Sequence, residues 1–71
     1  MKLAEIKEVL HAQPFEPFVI HVADGKTFRI EHQEFAALHP GGRQLVIFTK
    51  DGSFILNTTL ITTIQVPAHG A

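Results

Sequence analysis

Two Asp-Gly pairs, Asp24-Gly25 and Asp51-Gly52, constrain this chain more than any other feature. Each lies between short runs of β-branched and aromatic residues. Phe18 to Val22 and Phe28 to Ile30 flank the first; Leu45 to Thr49 and Phe54 to Leu56 flank the second. Asp-Gly supplies the positive φ that a tight reversal needs, so each pair marks a β-hairpin.

Loop length follows from cross-strand pairing, because a one-residue slip sends every side chain to the opposite face. A two-residue Asp24-Gly25 loop would set Val22 against Thr27 and Ile20 against Arg29, mixing apolar with polar. A three-residue loop, Ala23-Asp24-Gly25, instead pairs Val22 with Lys26, Ile20 with Phe28 and Phe18 with Ile30. One face is then apolar, and the other carries Val19, His21, Thr27 and Arg29. The same loop in the second hairpin, Lys50-Asp51-Gly52, pairs Phe48 with Phe54 and Val46 with Leu56. Its other face, Leu45, Ile47 and Ile55, is also apolar. A sheet with one wet face alternates more cleanly, so this hairpin is expected to be covered on both sides. The docked helix, the curled sheet or another subunit would serve as the cover.

The rest of the chain reads around these hairpins. Leu3, Ile6 and Leu10 recur at helical spacing, with Lys2, Glu5, Lys7 and Glu8 opposite, which predicts a helix over about 2–12. A helix this short must dock to persist, and Pro14 ends it. Gln13-Pro14-Phe15-Glu16-Pro17 is a stiff linker, with Phe15 expected to plug the gap between helix and sheet. Phe35 to Leu38 fits a helical turn or, preferably, a short strand before a Pro40-Gly41-Gly42 turn. Asn57-Thr58-Thr59-Leu60 reads as a tight turn, and Ile61 to Val66 as a last strand with Ile64 and Val66 inward. Residues 67–71 form a tail. The predicted core is Leu3, Ile6, Leu10, Phe15, Phe18, Ile20, Phe28, Val46, Phe48, Phe54 and Ile64.

Composition excludes several functions. With 71 residues the chain makes one small domain, and 45% hydrophobic against 18% charged content makes it globular. Without cysteine it has no disulfide or thiolate metal site, and packing must supply its stability. A formal net charge of −1 is no broad nucleic-acid footprint, although Lys26, Arg29, Arg43 and Lys50 all lie at or near turns. No apolar run reaches the ~20 residues of a membrane span, and no signal peptide is evident, so a soluble cytoplasmic protein is expected.

No motif carries recognisable chemistry. The five histidines (His11, His21, His32, His39 and His69) lack the clustered spacing of a zinc site, although His21 and His32 lie on or beside neighbouring strands. His32, Glu34 and Asp24 could be assembled into an acid–base site, but Glu31, His32 and Glu34 read more simply as a solvated connection, and acid–base work needs a pocket. Pro40-Gly41-Gly42-Arg43 is too short for a phosphate loop and reads as a turn. Asn57-Thr58-Thr59 with Thr62-Thr63 reads as turn capping. No enzyme, metal or cofactor is expected.

Helix, stiff linker and five short strands, with Leu45-Val46-Ile47-Phe48, Asp51-Gly52, Phe54-Ile55-Leu56-Asn57 and Leu60-Ile61-Thr62-Thr63-Ile64-Gln65-Val66 closing the chain, resemble the order of an Sm-like barrel. The closing stretch is similar to that of bacterial Hfq, whose last two strands pair between subunits to form a ring. Glu34-Phe35-Ala36-Ala37 stands where Sm proteins place Asp and Asn, and Thr58-Thr59 where Hfq places its RNA-contacting Lys-His. Gln13-Pro14-Phe15-Glu16-Pro17-Phe18 followed by Ile20-His21-Val22-Ala23-Asp24-Gly25, with His32, Phe35, Gly42-Arg43 and Asp51-Gly52, also resembles a set of small uncharacterised bacterial proteins, which implies a stand-alone bacterial protein and no activity.

The expected architecture is mainly β with one N-terminal helix, residues 1–71 forming a single small, strongly bent, five-stranded antiparallel Sm-like barrel. The expected function is a non-enzymatic, homo-oligomeric assembly or protein-interaction module, with Leu45, Ile47, Ile55 and Ile61 as interface candidates. The alternative is an RNA- or single-strand-binding ring in which Lys26, Arg29, Arg43 and Lys50 contact phosphates and Phe15 or Phe35 stacks a base.

Overall fold

The computed structural model describes residues 3–67. Residues 1–2 and 68–71, and with them His69 and most of the expected tail, lie outside the described residues. The chain opens with helix α1 (Leu3–Leu10), which buries Ile6 and Leu10 and leaves Glu5, Lys7 and Glu8 exposed. Phe15 packs partly buried against the core, its ring 5.9 Å from that of Phe18. The Gln13–Pro14 peptide is cis.

Six strands follow: β1 (Phe18–Val22), β2 (Thr27–Ile30), β3 (Ala36–Leu38), β4 (Gln44–Thr49), β5 (Gly52–Asn57) and β6 (Ile61–Gln65). They form two antiparallel three-stranded sheets, ordered β2-β1-β6 and β3-β4-β5. This corrects the expected five-stranded closed barrel. The segment between β2 and β4 is not one long bent strand. A 3-10 turn (Gln33–Phe35) interrupts it, so β2 stays with the first sheet and β3 starts the second. Both of the alternatives read for Phe35–Leu38 are therefore used, a helical turn through Phe35 and then a strand.

The first hairpin has the expected register. Phe18 pairs with Ile30 and Ile20 with Phe28. The loop closes through Val22 N–H donating to Lys26 O at 3.0 Å and Gly25 N–H donating to Val22 O at 2.9 Å. Gly25 has φ +94°, a conformation that side chains with a Cβ adopt at a cost. The Asp24 carboxylate accepts from Lys26 N–H at 2.9 Å and steadies the turn.

The second hairpin differs by one residue. Thr49 pairs with Gly52, Ile47 with Phe54 and Leu45 with Leu56, leaving a two-residue Lys50-Asp51 loop. The Thr49 hydroxyl holds it, donating to Gly52 O at 3.1 Å and accepting from Asp51 N–H at 3.2 Å. The inward face therefore carries Leu45 and Ile47, which are fully buried. Phe48, expected in the core, is 47% exposed, and Phe54 is 39% exposed. Register follows the apolar pattern only where one face is polar. With both faces of β4 and β5 apolar, pairing arithmetic could not choose between them.

The sheets share one core. Phe18, Ile20, Val22, Ile30 and Ile61 from the first meet Ala36, Leu45 and Ile47 from the second, together with Ile6 and Leu10 of α1. Phe28 and Phe54 bridge the sheets with centroids 5.3 Å apart. In β6 the ladder shifts between His21↔Thr63 and Val22↔Ile61. That bulge turns Ile61 inward, where it is buried. Val66, expected inward, lies past the last paired residue Gln65 and is exposed.

The β5–β6 corner is a second 3-10 turn (Thr58–Leu60). Asn57 Oδ1 caps it, accepting from Thr59 N–H at 3.0 Å and Thr59 Oγ1 at 2.8 Å. Thr58 is the buried polar side chain of this corner. Its hydroxyl donates to Gly42 O and its N–H to Arg43 O, each at 2.8 Å. Gly42 has φ +78°, and a Cβ placed there would lie 2.5 Å from a Leu3 methyl. Helix start, β3–β4 turn and β5–β6 corner are thus locked at one point.

Two stability predictions follow from these assignments. Ile47→Ala should cost about 2–5 kcal/mol, and Phe48→Ala less than about 1.5 kcal/mol, by urea unfolding; the one-residue-shifted register would reverse that order. Thr58→Val, which strands the Gly42 carbonyl, should cost about 1–3 kcal/mol, with Thr58→Ser recovering most of the loss.

Candidate functional site

A cleft of about 670 Å³ opens where the sheets separate, lined by Arg29, Glu31, Phe35, Phe48, Thr49 and Lys50. Local structure explains each position. Arg29 and Glu31 are two residues apart along extended chain and so project to the same side. The 3-10 turn lifts Phe35 out of the ladder, and its ring meets the His32 ring edge-on at 5.2 Å. Phe48 is turned outward by the register of the second hairpin. Lys50 belongs to the two-residue loop.

The floor is aromatic, with Phe35 38% and Phe48 47% exposed. The rim holds Arg29, Lys50 and Glu31. Arg29 Nε donates to Glu31 Oε1 at 2.8 Å, with both side chains more than half exposed. Such a pair is worth little in water, so a bound anion can draw the guanidinium away at small cost.

The four cations expected to contact nucleic acid do not converge as a set. Arg29 and Lys50 share the cleft; Lys26 lies in the first hairpin turn and Arg43 just before β4, both outside it. Of the two aromatics expected to stack a base, Phe35 is in the cleft, whereas Phe15 is packed against Phe18 and the core. The expected register turns Phe48 inward, which hides it as a cleft residue. Its signal was the doubly apolar character of β4, which required one large residue to face out.

The interface candidates separate in the same way. Leu45, Ile47 and Ile61 are buried in the chain's own core. Ile55 is 66% exposed and remains at the surface. On the outer face of the second sheet it continues a cross-strand row, Ala37↔Val46↔Ile55.

A second cleft of about 300 Å³ lies between the end of α1 and β3, lined by Leu10, His11, Gln33, Ala36, Ala37 and Leu38. Among the described residues, no three His, Asp or Glu side chains are placed to share a metal ion. His21 Nε2 lies 3.0 Å from Gln65 Oε1, while His32 contacts Phe35. In the Pro40-Gly41-Gly42-Arg43 turn the Gly41 N–H donates to His39 Nδ1 at 3.1 Å and the Gly42 N–H to His39 O at 2.7 Å, so His39 already occupies both glycine amides. No helix among the described residues is long and apolar enough to cross a membrane.

No protein-family model, curated protein or solved structure matches this chain.

Because Glu31 is exposed, Glu31→Gln should change the unfolding free energy by less than about 1 kcal/mol in urea titration. A larger loss would mean that the ion pair holds the cleft together.

Proposed function

We propose that this chain is a non-enzymatic interaction module that works as a homo-oligomer. The observation that supports this reading is the outer face of the second sheet, where Val46, Phe48 and Ile55 put apolar surface in water. Ile55, at 66% exposed, contributes to no core of its own chain. Full burial of one such side chain is worth about 1.5–3 kcal/mol, which is a large share for a domain of this size. Association recovers part of that energy. A cytoplasmic location belongs to the same reading, since a chain without cysteine needs no oxidising compartment to fold.

Sedimentation of the purified chain should give more than the monomer mass of 7.9 kDa, with the mass falling on dilution. Ile55→Lys should shift the population to monomer and make thermal stability independent of concentration. A monomer at all concentrations would overturn the reading.

One observation favours a second reading, single-stranded nucleic-acid binding. The cleft combines two cations, Arg29 and Lys50, with two partly exposed rings, Phe35 and Phe48. That is the combination on which bases stack while phosphates are neutralised. A labelled oligonucleotide should then bind at low salt. Arg29→Ala or Lys50→Ala should each reduce the dependence of log affinity on log salt by about one. No retention of the oligonucleotide at low salt would exclude this reading.

A further inference from the structure

We propose that two copies of the chain join through β5, paired antiparallel about a two-fold axis at Ile55, so that the sheets β3-β4-β5 of both copies form one continuous sheet. The proposal rests on the self-association reading and names its surface and symmetry.

The two sheets leave four edge strands: β2, β6, β3 and β5. Proteins normally blunt free edges with charge, proline, bulges or short length. β2 carries Arg29 and is preceded by Lys26. β3 has three residues and lies beside the end of α1 across the smaller cleft. β6 takes part in a bulged ladder and runs into Pro67. β5, Gly52-Ser53-Phe54-Ile55-Leu56-Asn57, has six residues, an unbroken register with β4, and neither charge nor proline. It is the unprotected edge among the described strands.

Its hydrogen-bonding groups can be phased. His39 N–H donates to Gln44 O at 2.9 Å, so Gln44 turns its main chain toward β3. Antiparallel ladders alternate. Val46 and Phe48 therefore also face the β3 side, and Leu45, Ile47 and Thr49 face β5. Their partners Leu56, Phe54 and Gly52 face back. The N–H and C=O groups of Ser53, Ile55 and Asn57 consequently point from the free edge.

An antiparallel self-pairing must set these outward residues against one another. Centred on Ile55, it pairs Ser53 with the partner's Asn57 and Phe54 with the partner's Leu56, and it engages all of Ser53, Ile55 and Asn57. Centring it on Phe54 would oppose Asn57 to the Asp51 turn. Centring it on Leu56 would push Phe54 against the capped corner at Thr58. The Ile55 register also matches polar ends to polar ends and apolar centre to apolar centre. On the outer face the row Ala37–Val46–Ile55 meets its own copy, with opposed Ile55 Cβ atoms about 4.5–5.5 Å apart.

The chain has no cysteine, so a single introduced thiol reports on this register cleanly. Ile55→Cys, at an exposed position, places two thiols on the axis within disulfide reach. Ser53→Cys places them four residues apart along the ladder, about 13 Å at about 3.3 Å per residue. Oxidation with diamide should convert the Ile55→Cys chain to a covalent dimer on a non-reducing gel and leave the Ser53→Cys chain largely monomeric. In the unsubstituted chain, amide exchange at Ser53, Ile55 and Asn57 should slow as concentration rises through the association range. Thr27 and Arg29, on the free edge of β2, should not change.

Sedimentation of the same samples separates the two levels. A monomer throughout overturns self-association and this pairing together. An oligomer in which Ile55→Cys fails to cross-link, Ser53→Cys cross-links equally well, or the β5 amides stay unprotected keeps self-association and overturns the β5 pairing.

Discussion

Burial of Leu45 and Ile47 between the two sheets is the constraint on which the other features of this molecule depend. β4 is apolar on both faces, and only one face can meet Ile6, Leu10 and the side chains of the first sheet. Choosing Leu45 and Ile47 sets the pairing with Leu56 and Phe54, which shortens the turn to Lys50-Asp51. The same choice pushes Phe48 and Ile55 outward. The aromatic floor of the cleft and the apolar outer row are thus consequences of core packing.

The corner at Thr58 keeps the sheets in this relation. A buried hydroxyl bonded to Gly42 O, a main-chain bond to Arg43 and a helix residue seated over Gly42 join three segments distant in sequence. In a chain without disulfides, a buried polar bond of this kind specifies geometry, because the alternative is an unsatisfied carbonyl. The 3-10 turn at Gln33–Phe35 does the opposite at the far side. It interrupts what would otherwise be a continuous strand, separates the sheets and opens the cleft.

Much of this was legible from residues alone. Asp24-Gly25 and the clean alternation around it gave the three-residue loop and the register of the first hairpin. The spacing of Leu3, Ile6 and Leu10 gave the helix, and Asn57-Thr58-Thr59 gave the capped turn. The cleft is half legible: turn position and charge point to Arg29 and Lys50 and exposure of an aromatic to Phe35, but they point equally to Lys26 and Arg43, which lie outside it, and not to Phe48. Leu45 and Ile47 read as interface residues only in a register one residue out of step, and Ile61 only in a β6 ladder without its bulge.

The sequence by itself determined the helix, the first hairpin with its register and the Asn57 cap of the β5–β6 turn, since each rests on contacts within a few residues. Local alternation, turn chemistry and capping suffice there. Only the tertiary structure decided which face of β4 and β5 is buried, that the strands divide into two sheets, and that Ile61 turns inward at a bulge. Those outcomes depend on volume shared between distant segments. Where both faces of a strand are apolar, the pattern is degenerate, and packing against α1 and the first sheet breaks the tie.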